Sequence, residues 1–190
     1  KTTATFNSGL VYSSLTDQDG NTYKTIIIGT QTWMAENLRT VKYRNGETIP
    51  EETDSIAFGT LTTGAYCRSE NDNNLNLTAT YGRLYNWYAV SDSRNLAPPG
   101  WHVATRDDLT ILTEYLGDSL KAGGKLKETG TTHWSLSIDA TNETGFTALP
   151  GGYRHSNGYL YPFGYYGFWW TATEVDVTEA LGWSIHYNGG

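Results

Sequence analysis

The chain has 190 residues and a formal net charge of -7, from 13 basic and 20 acidic side chains. A chain of this length can bury a hydrophobic core without added cross-links, so we treat residues 1–190 as a single domain. The acidic balance argues against nucleic-acid binding, which depends on clustered Lys and Arg side chains, and no run reaches the roughly 18 apolar residues of a transmembrane segment.

Aromatic residues make up 14% of the chain and charged residues only 17%, so much of the polar surface must come from Thr, Ser, Asn, Gly and Tyr. This balance is typical of extracellular β-rich proteins. Cys67 is the only cysteine, which excludes an intrachain disulfide and a multi-cysteine metal site. We expect its thiol to be buried as a small apolar group, because Arg68 is the only neighbouring cation that could activate it.

The first forty residues are predicted to form a β-hairpin and a short helix. Residues 1–16 are interpreted as an N-terminal arm or edge strand. Residues 17–21 are rich in Asp, Gly and Asn, which favour turns, and the β-branched run at 23–28 is typical of a strand. A second turn then precedes the predicted helix at 33–38.

The middle of the chain contains the clearest helical patterns. Apolar side chains at helical spacing predict a helix over 81–90, and a Pro-Pro-Gly turn then leads to a predicted short strand at 101–103. A second helix is predicted to begin after Thr105 as its N-cap, with two acidic residues in its first turn, and to end at Gly117.

Glycine is frequent in the last third of the chain, where helical periodicity disappears. Short strands are predicted at 147–149, 158–161, 168–172 and 181–187. Helices followed by strands, without strict alternation of strand and helix, indicate an α+β fold with short antiparallel strands, two or three helices and many loops.

Several of these segments form a recognisable series. They include Gly-Trp-His-Val at 100–103 and Trp-Trp-Thr-Ala-Thr-Glu at 169–174, and five others lie at 19–25, 28–38, 81–90, 122–127 and 145–154. In this order they resemble the Fibrobacter succinogenes major paralogous domain family. The resemblance implies a C-type-lectin-like architecture in a secreted or cell-surface bacterial protein, and it says far more about fold than about function.

Two features of the sequence differ from what the resemblance leads us to expect. Members of the family usually continue past the last strand with a further strand, whereas this chain stops at Gly189-Gly190. An unpaired sheet edge is a template for another chain, so we expect that self-association could occur there. Sugar-binding lectins of this fold usually hold calcium through Glu-Pro-Asn or Gln-Pro-Asp and then Trp-Asn-Asp, and none of these tripeptides occurs in the sequence.

Half of the residues at 153–170 are aromatic. Tyr and Trp side chains stack on sugar rings and suit interfaces, because each has a large apolar body and a polar tip. Alternation along a strand would bury some of them as core, either Phe168 and Trp170 or else Trp169. The predicted ligand-binding residues are five aromatic side chains and an oxygen-rich loop: Tyr159, Tyr161, Tyr165, Tyr166, Trp169, Asp72, Asn73 and Asn74.

Asp17, Asp19 and Asn21 alternate oxygen-bearing side chains as the start of a calcium-binding loop does. They are the candidate calcium ligands, and no other cofactor is predicted. An ordinary hairpin turn explains the same residues without a metal, and we favour that interpretation.

No catalytic motif is found in the sequence. The four histidines are far apart, and neither a nucleophile elbow nor a phosphate loop is present. Glu36, Glu128, Glu143 and Glu174 could pair as glycosidase acid and base, but structural roles are favoured. The prediction is a non-catalytic, secreted or cell-surface adhesion module that binds a glycan or a surface protein. The alternatives are a structural subunit of a surface filament or layer, and a polysaccharide-active enzyme.

Overall fold

The structure, a computed structural model, describes residues 3–68, 75–176 and 179–189. Its first sheet contains three antiparallel strands in the order β1-β2-β3: β1 (Ser13–Thr16), β2 (Thr22–Ile28) and β3 (Gln31–Met34). β1 lies at the edge of this sheet. The irregular arm that precedes it packs Phe6, Leu10 and Tyr12 against the core.

The helix predicted at 33–38 is wrong. Trp33 and Met34 complete β3, and the N–H of Ala35 continues the ladder by donating to the carbonyl of Lys24 at 2.9 Å. Pairing with β2 satisfies the backbone groups of this segment, so a local helical pattern six residues long cannot compete with it.

The middle of the chain folds into short elements: α1 (Ser55–Thr60), β4 (Tyr66–Cys67), α2 (Leu75–Tyr81), β5 (Leu84–Tyr85) and α3 (Trp87–Val90). β4 and β5 form an antiparallel pair. The predicted helix over 81–90 is therefore divided. Gly82 divides it, since its φ of 74° is left-handed and a Cβ there would lie 2.6 Å from the carbonyl oxygen of Leu38.

The helix predicted after Thr105 is confirmed as α4 (Arg106–Leu116), with a capping box at its start and left-handed Gly117 at its end. α5 (Ser119–Leu126) follows it and was not predicted, because Gly123 and Gly124 weaken the helical pattern. Gly124 is needed there, since a Cβ would lie 2.5 Å from the carbonyl oxygen of Asp139. The predicted strand at 101–103 is irregular.

The last third of the described chain contains two antiparallel pairs. β6 (Tyr153–Arg154) pairs with β7 (Leu160–Tyr161), and β8 (Tyr166–Glu174) pairs with β9 (Ala180–His186). The predicted strands at 158–161, 168–172 and 181–187 thus correspond to β7, β8 and β9. The one predicted at 147–149 is reduced to a single bridge between Ala148 and Lys127.

The core consists of three clusters of buried side chains. The largest surrounds Trp134 and joins the first sheet, α4, α5 and β9 through residues such as Ile26, Leu112 and Ile185. The smallest contains Cys67, which is fully buried as expected, and burial raises the pKa of its thiol to about 11. The fold is thus a mixture of helices and short antiparallel strands in small sheets.

No helix in the described part of the chain is both long enough and apolar enough to span a membrane.

Candidate functional site

A cleft of about 1020 Å³ lies between the end of the first sheet, α3 and the β8–β9 pair. Tryptophan, tyrosine and phenylalanine side chains are frequent in its lining, and we call it the aromatic cleft. Six of the seven tryptophans line it: Trp33, Trp87, Trp101, Trp169, Trp170 and Trp183. The seventh, Trp134, is fully buried, and its indole N–H donates to the carbonyl of Ala148.

Alternation along β8 decides which aromatic side chains are accessible. Trp169 points toward the core side, where its ring stacks on Trp183 at 4.5 Å and its indole N–H donates to Asn37 Oδ1 at 2.9 Å. Phe168 and Trp170 point to the opposite face and are 39% and 41% exposed. Of the two arrangements that strand alternation allowed, the structure has Trp169 inward.

Trp87 and Trp170 form one wall of the aromatic cleft. Their rings lie 5.7 Å apart, and the indole N–H of Trp170 donates to the carbonyl of Tyr85 at 2.9 Å. Trp87 is the first residue of α3, whose N-cap Asn86 accepts a hydrogen bond from the N–H of Ala89. The ring of Trp170 is thus held in place by a backbone contact while two-fifths of its surface stays open.

Beside this wall, the β6–β7 hairpin adds a second aromatic group, which we call the tyrosine cluster. Tyr153 and Tyr161 are register partners, and their rings stack at 4.2 Å. Phe168 lies 4.3 Å from Tyr153 and joins the cluster to the cleft. Burial, together with the hydrogen bond to Tyr161, raises the pKa of Tyr153 to about 12. Tyr159, 59% exposed, packs edge-on against Tyr161 at the outer end.

The carboxylates that line the aromatic cleft are Glu36 and Asp108. Glu36 accepts the backbone N–H of Lys24 at 2.6 Å and pairs with Arg39 at 3.5 Å. Glu36 therefore has a structural role, because it joins the segment after β3 to the backbone of β2.

Asp108 caps α4 and pairs with His102 Nε2 at 2.9 Å. Burial alone would raise the pKa of Asp108, but the hydrogen bonds from Thr105 and His102 outweigh it and hold the pKa below its ordinary value. The imidazole of His102 is itself largely exposed and offers a polar group at the rim of the cleft.

The other candidate acids do not face the cleft. Glu128 is completely buried, where it pairs with His133 Nδ1 at 2.7 Å and accepts the N–H of Thr5 from the N-terminal arm. Glu143 pairs with Lys125 at 3.2 Å, and Glu174 lies exposed at the end of β8. The structure therefore does not bring the four glutamates together.

The predicted ligand-binding residues are divided by the structure. Tyr159 and Tyr165 are exposed, whereas Tyr161 and Tyr166 are half-buried. Tyr165 packs against Tyr187 instead of lining the cleft. Trp169 lines the cleft and is partly buried, since it packs against the core through its stacking on Trp183 and its hydrogen bond to Asn37. Its neighbours Phe168 and Trp170 are exposed. Asp72, Asn73 and Asn74 lie outside the described residues.

The candidate calcium ligands form a turn. Both carboxylate oxygens of Asp17 accept hydrogen bonds: Oδ1 from the N–H groups of Asp19 and Asn21, and Oδ2 from the Asn21 amide and the Tyr23 hydroxyl. Asp19 instead binds Thr40, Val41 and Lys42. Within residues 3–68, 75–176 and 179–189, no group of three or more His, Cys, Asp or Glu side chains has metal-holding geometry.

Sequence reasoning missed the tryptophans of the cleft as a set, apart from Trp169. They are spread from position 33 to position 183, so no local motif connects them. The available signal in the sequence was their number, seven tryptophans in 190 residues.

Comparison with known proteins identifies the family of this chain. Residues 26–188 match the Fibrobacter succinogenes major domain, over a range that contains the whole aromatic cleft. Neither the curated proteins nor the solved structures contain a match to this chain. The chain belongs to the Fibrobacter succinogenes major domain family.

Proposed function

We propose that this domain is a non-catalytic binding module of a secreted or cell-surface bacterial protein, and that its aromatic cleft holds a segment of a glycan chain. The observation that carries the proposal is the gathering of six of the seven tryptophans around one cleft. Tryptophan is costly to leave at a surface, so its concentration around an open cleft, with Trp170 two-fifths exposed, favours a ligand site over ordinary packing.

The chemistry of the cleft suits a sugar. A pyranose ring has an apolar face of C–H groups and a rim of hydroxyl groups, so it stacks on an indole and forms hydrogen bonds around it. Exposed polar groups at the cleft are available for those hydroxyls: the imidazole of His102, the phenol of Tyr88 and the hydroxyl of Ser156. A few such groups around an apolar surface are the usual composition of a ligand pocket.

The carboxylates favour binding over hydrolysis. Glycosidases need one free acid and one free base or nucleophile across the scissile bond. Glu36 and Asp108 are each engaged by backbone N–H groups and by a cationic or imidazole partner. The pKa of Asp108 is lowered, which is the opposite of the raised pKa of a catalytic acid.

The proposal also includes a more specific fold for the domain. We place the domain among C-type-lectin-like folds on its family resemblance and its mixture of helices with short antiparallel strands. The lectin tripeptides that hold calcium are absent from the sequence. Sugar recognition by this domain would therefore rest on stacking and would not require calcium.

A glycan array, screened with calcium and then with a chelator, tests the proposal. Trp87→Ala and Trp170→Ala should each weaken binding to the selected glycan by about fivefold or more, because losing a buried aromatic contact costs upward of ~1 kcal/mol. Tyr115→Ala is the matched control, since Tyr115 is 65% exposed on α4 and lies outside the cleft. Titration calorimetry gives the affinities, and thermal unfolding shows that each variant is folded.

Two results would contradict the proposal. One is an array that stays blank under both conditions while a parallel panel of matrix proteins binds. The other is a glycan whose affinity is unchanged in both tryptophan variants, since the ligand would then occupy a different surface. If binding disappears when the chelator is added, the ligand is still a glycan, but its recognition requires calcium.

A further inference from the structure

Within the described residues, β9 has a strand partner on one side only. The N–H of Tyr187 donates to the carbonyl of Tyr165, which fixes the alternation along the ladder. The N–H and C=O groups of Gly182, Ser184 and His186 therefore point away from β8. Among these outward groups, the carbonyl of His186 accepts the N–H of Gly189 at 3.5 Å, and no backbone hydrogen bond joins the others to any described residue. Gly182 and His186 are exposed.

This edge has none of the usual protection. Native sheets guard an open edge with charged side chains, proline, a bulge or a covering segment. The segment 180–187 contains no Lys, Arg, Asp, Glu or Pro. The opposite side of the same sheet is covered, since Ala172 donates to the carbonyl of Ala104 and Gly167 bridges to Gly152. Among the described residues, the β8 edge of this sheet is thus covered and the β9 edge is not.

We infer that β9 pairs in antiparallel register with β9 of a second copy of this chain, giving a four-stranded sheet in the order β8-β9-β9-β8. A two-fold axis brings each outward N–H of one strand to an outward C=O of the identical strand, so the edge is complementary to itself. Centred on Ser184, this register places His186 opposite Gly182 of the partner subunit. It forms about six backbone hydrogen bonds and brings no like charges together.

The side chains agree with that register. Gly182, Ser184 and His186 lie on the same face of the sheet as Trp170, Phe168 and Tyr166, their register partners on β8. Gly182 has no side chain and Ser184 has a small one, which leaves room for the second copy, and the aromatic rows of both copies then flank the junction. Strand pairing alone buries less than the ~1,200 Å² of a stable interface, so we expect a weak, concentration-dependent dimer.

Sedimentation velocity over about three decades of concentration, up to about 1 mM, tests the pairing, since the equilibrium of a weak dimer shifts within that range. The wild-type chain should move from monomer to dimer. Ser184→Lys should remain monomeric at every concentration, because it puts two ammonium groups directly opposite each other at the axis. Thr110→Lys adds the same charge at an exposed site on α4 and should dimerise as the wild type does.

A cross-link checks the register directly. In a hydrogen-bonded antiparallel pair the Cα atoms lie about 5.5 Å apart, within disulfide range. Ser184→Cys should therefore give a covalent dimer on mild oxidation, while Thr110→Cys should not. Cys67 is buried and does not compete. A wild-type chain that stays monomeric with no Ser184→Cys cross-link overturns the inference, and so does a dimer that persists in Ser184→Lys, which would show pairing through another surface.

Discussion

Asp17 holds the turn between β1 and β2 with a single side chain. It is 7% exposed, and its shortest hydrogen bond is 2.6 Å, from the Tyr23 hydroxyl. Burial, and then the hydrogen bond to Asp17, raise the pKa of Tyr23, so the phenol remains a donor at all working pH values. A buried carboxylate is tolerated here because four donors replace its hydration.

Removal of that carboxylate leaves the donors unsatisfied. Asp17→Ala should lower the free energy of unfolding by about 2–4 kcal/mol, measured by urea denaturation. Glu114→Ala, at an exposed position on α4, should change it by less than about 0.5 kcal/mol. Equal losses in the two variants would contradict a turn that depends on Asp17. A rise in the wild-type unfolding midpoint on adding calcium would contradict the metal-free turn.

At the scale of elements, α4 is determined by its own sequence. The N–H of Asp108 donates to Thr105 Oγ1 at 3.2 Å, and the N–H of Thr105 donates back to Asp108 Oδ2 at 2.8 Å. Gly117 ends the helix in the left-handed region, with a φ of 93°. Leu112 and Leu116 then fix the buried face. Start, end and buried face are all encoded within thirteen residues.

The cap gives a prediction for that element. Thr105→Ala should lower the free energy of unfolding by about 1 kcal/mol, because the N–H of Asp108 loses its acceptor. Thr110→Ala, in the interior of the same helix and exposed, should cost less than about 0.5 kcal/mol. Thermal and urea unfolding of the two variants measure the difference. If Thr110→Ala were as costly as Thr105→Ala, the effect would come from the helix interior and not from its cap.

At the scale of the whole molecule, acidic side chains join segments that are distant in sequence. Asp19 accepts the N–H of Val41 at 2.6 Å and pairs with Lys42 at 3.3 Å, which ties the first turn to the segment after β3. Burial would raise the pKa of Asp19, but its hydrogen bonds outweigh that effect and lower it. A local contact has the same effect at Asp92, where the hydrogen bonds from Arg94 lower the pKa to about 2.

These lowered pKa values make the fold acid-sensitive. A carboxylate with a folded pKa below its unfolded value stabilises the fold above the unfolded pKa, and that contribution is lost as pH falls through the folded pKa. The free energy of unfolding should therefore be steady above pH 4 and fall from about pH 4 to about pH 2. Asp19→Asn should be less stable than the wild type at neutral pH and lose less on acidification. Urea titrations at several pH values measure how the free energy of unfolding depends on pH in the two proteins. Parallel slopes would show that Asp19 does not contribute to this dependence.

Local signals predicted some elements and failed for others. The capped α4, the β-branched β2 and the strands β8 and β9 follow from patterns within a few residues of each other. The predicted helix at 33–38 failed because a neighbouring strand satisfied its backbone, and the one at 81–90 failed at Gly82, where the backbone of Leu38 allows no side chain. In both places the deciding contact comes from another part of the chain.

The sequence by itself determined the family, the α+β class, the capped helix and the burial of Cys67, because each rests on a local pattern or on an ordered series of motifs. Only the tertiary structure decided that Trp33, Trp87 and Trp183 share one cleft. It also decided that Trp169 faces inward while Trp170 faces outward, and that no other described strand pairs with the outer edge of β9. These features depend on which distant segments pack together and on the register of one strand against another. A shift of one residue in that register would exchange the buried and exposed aromatic side chains.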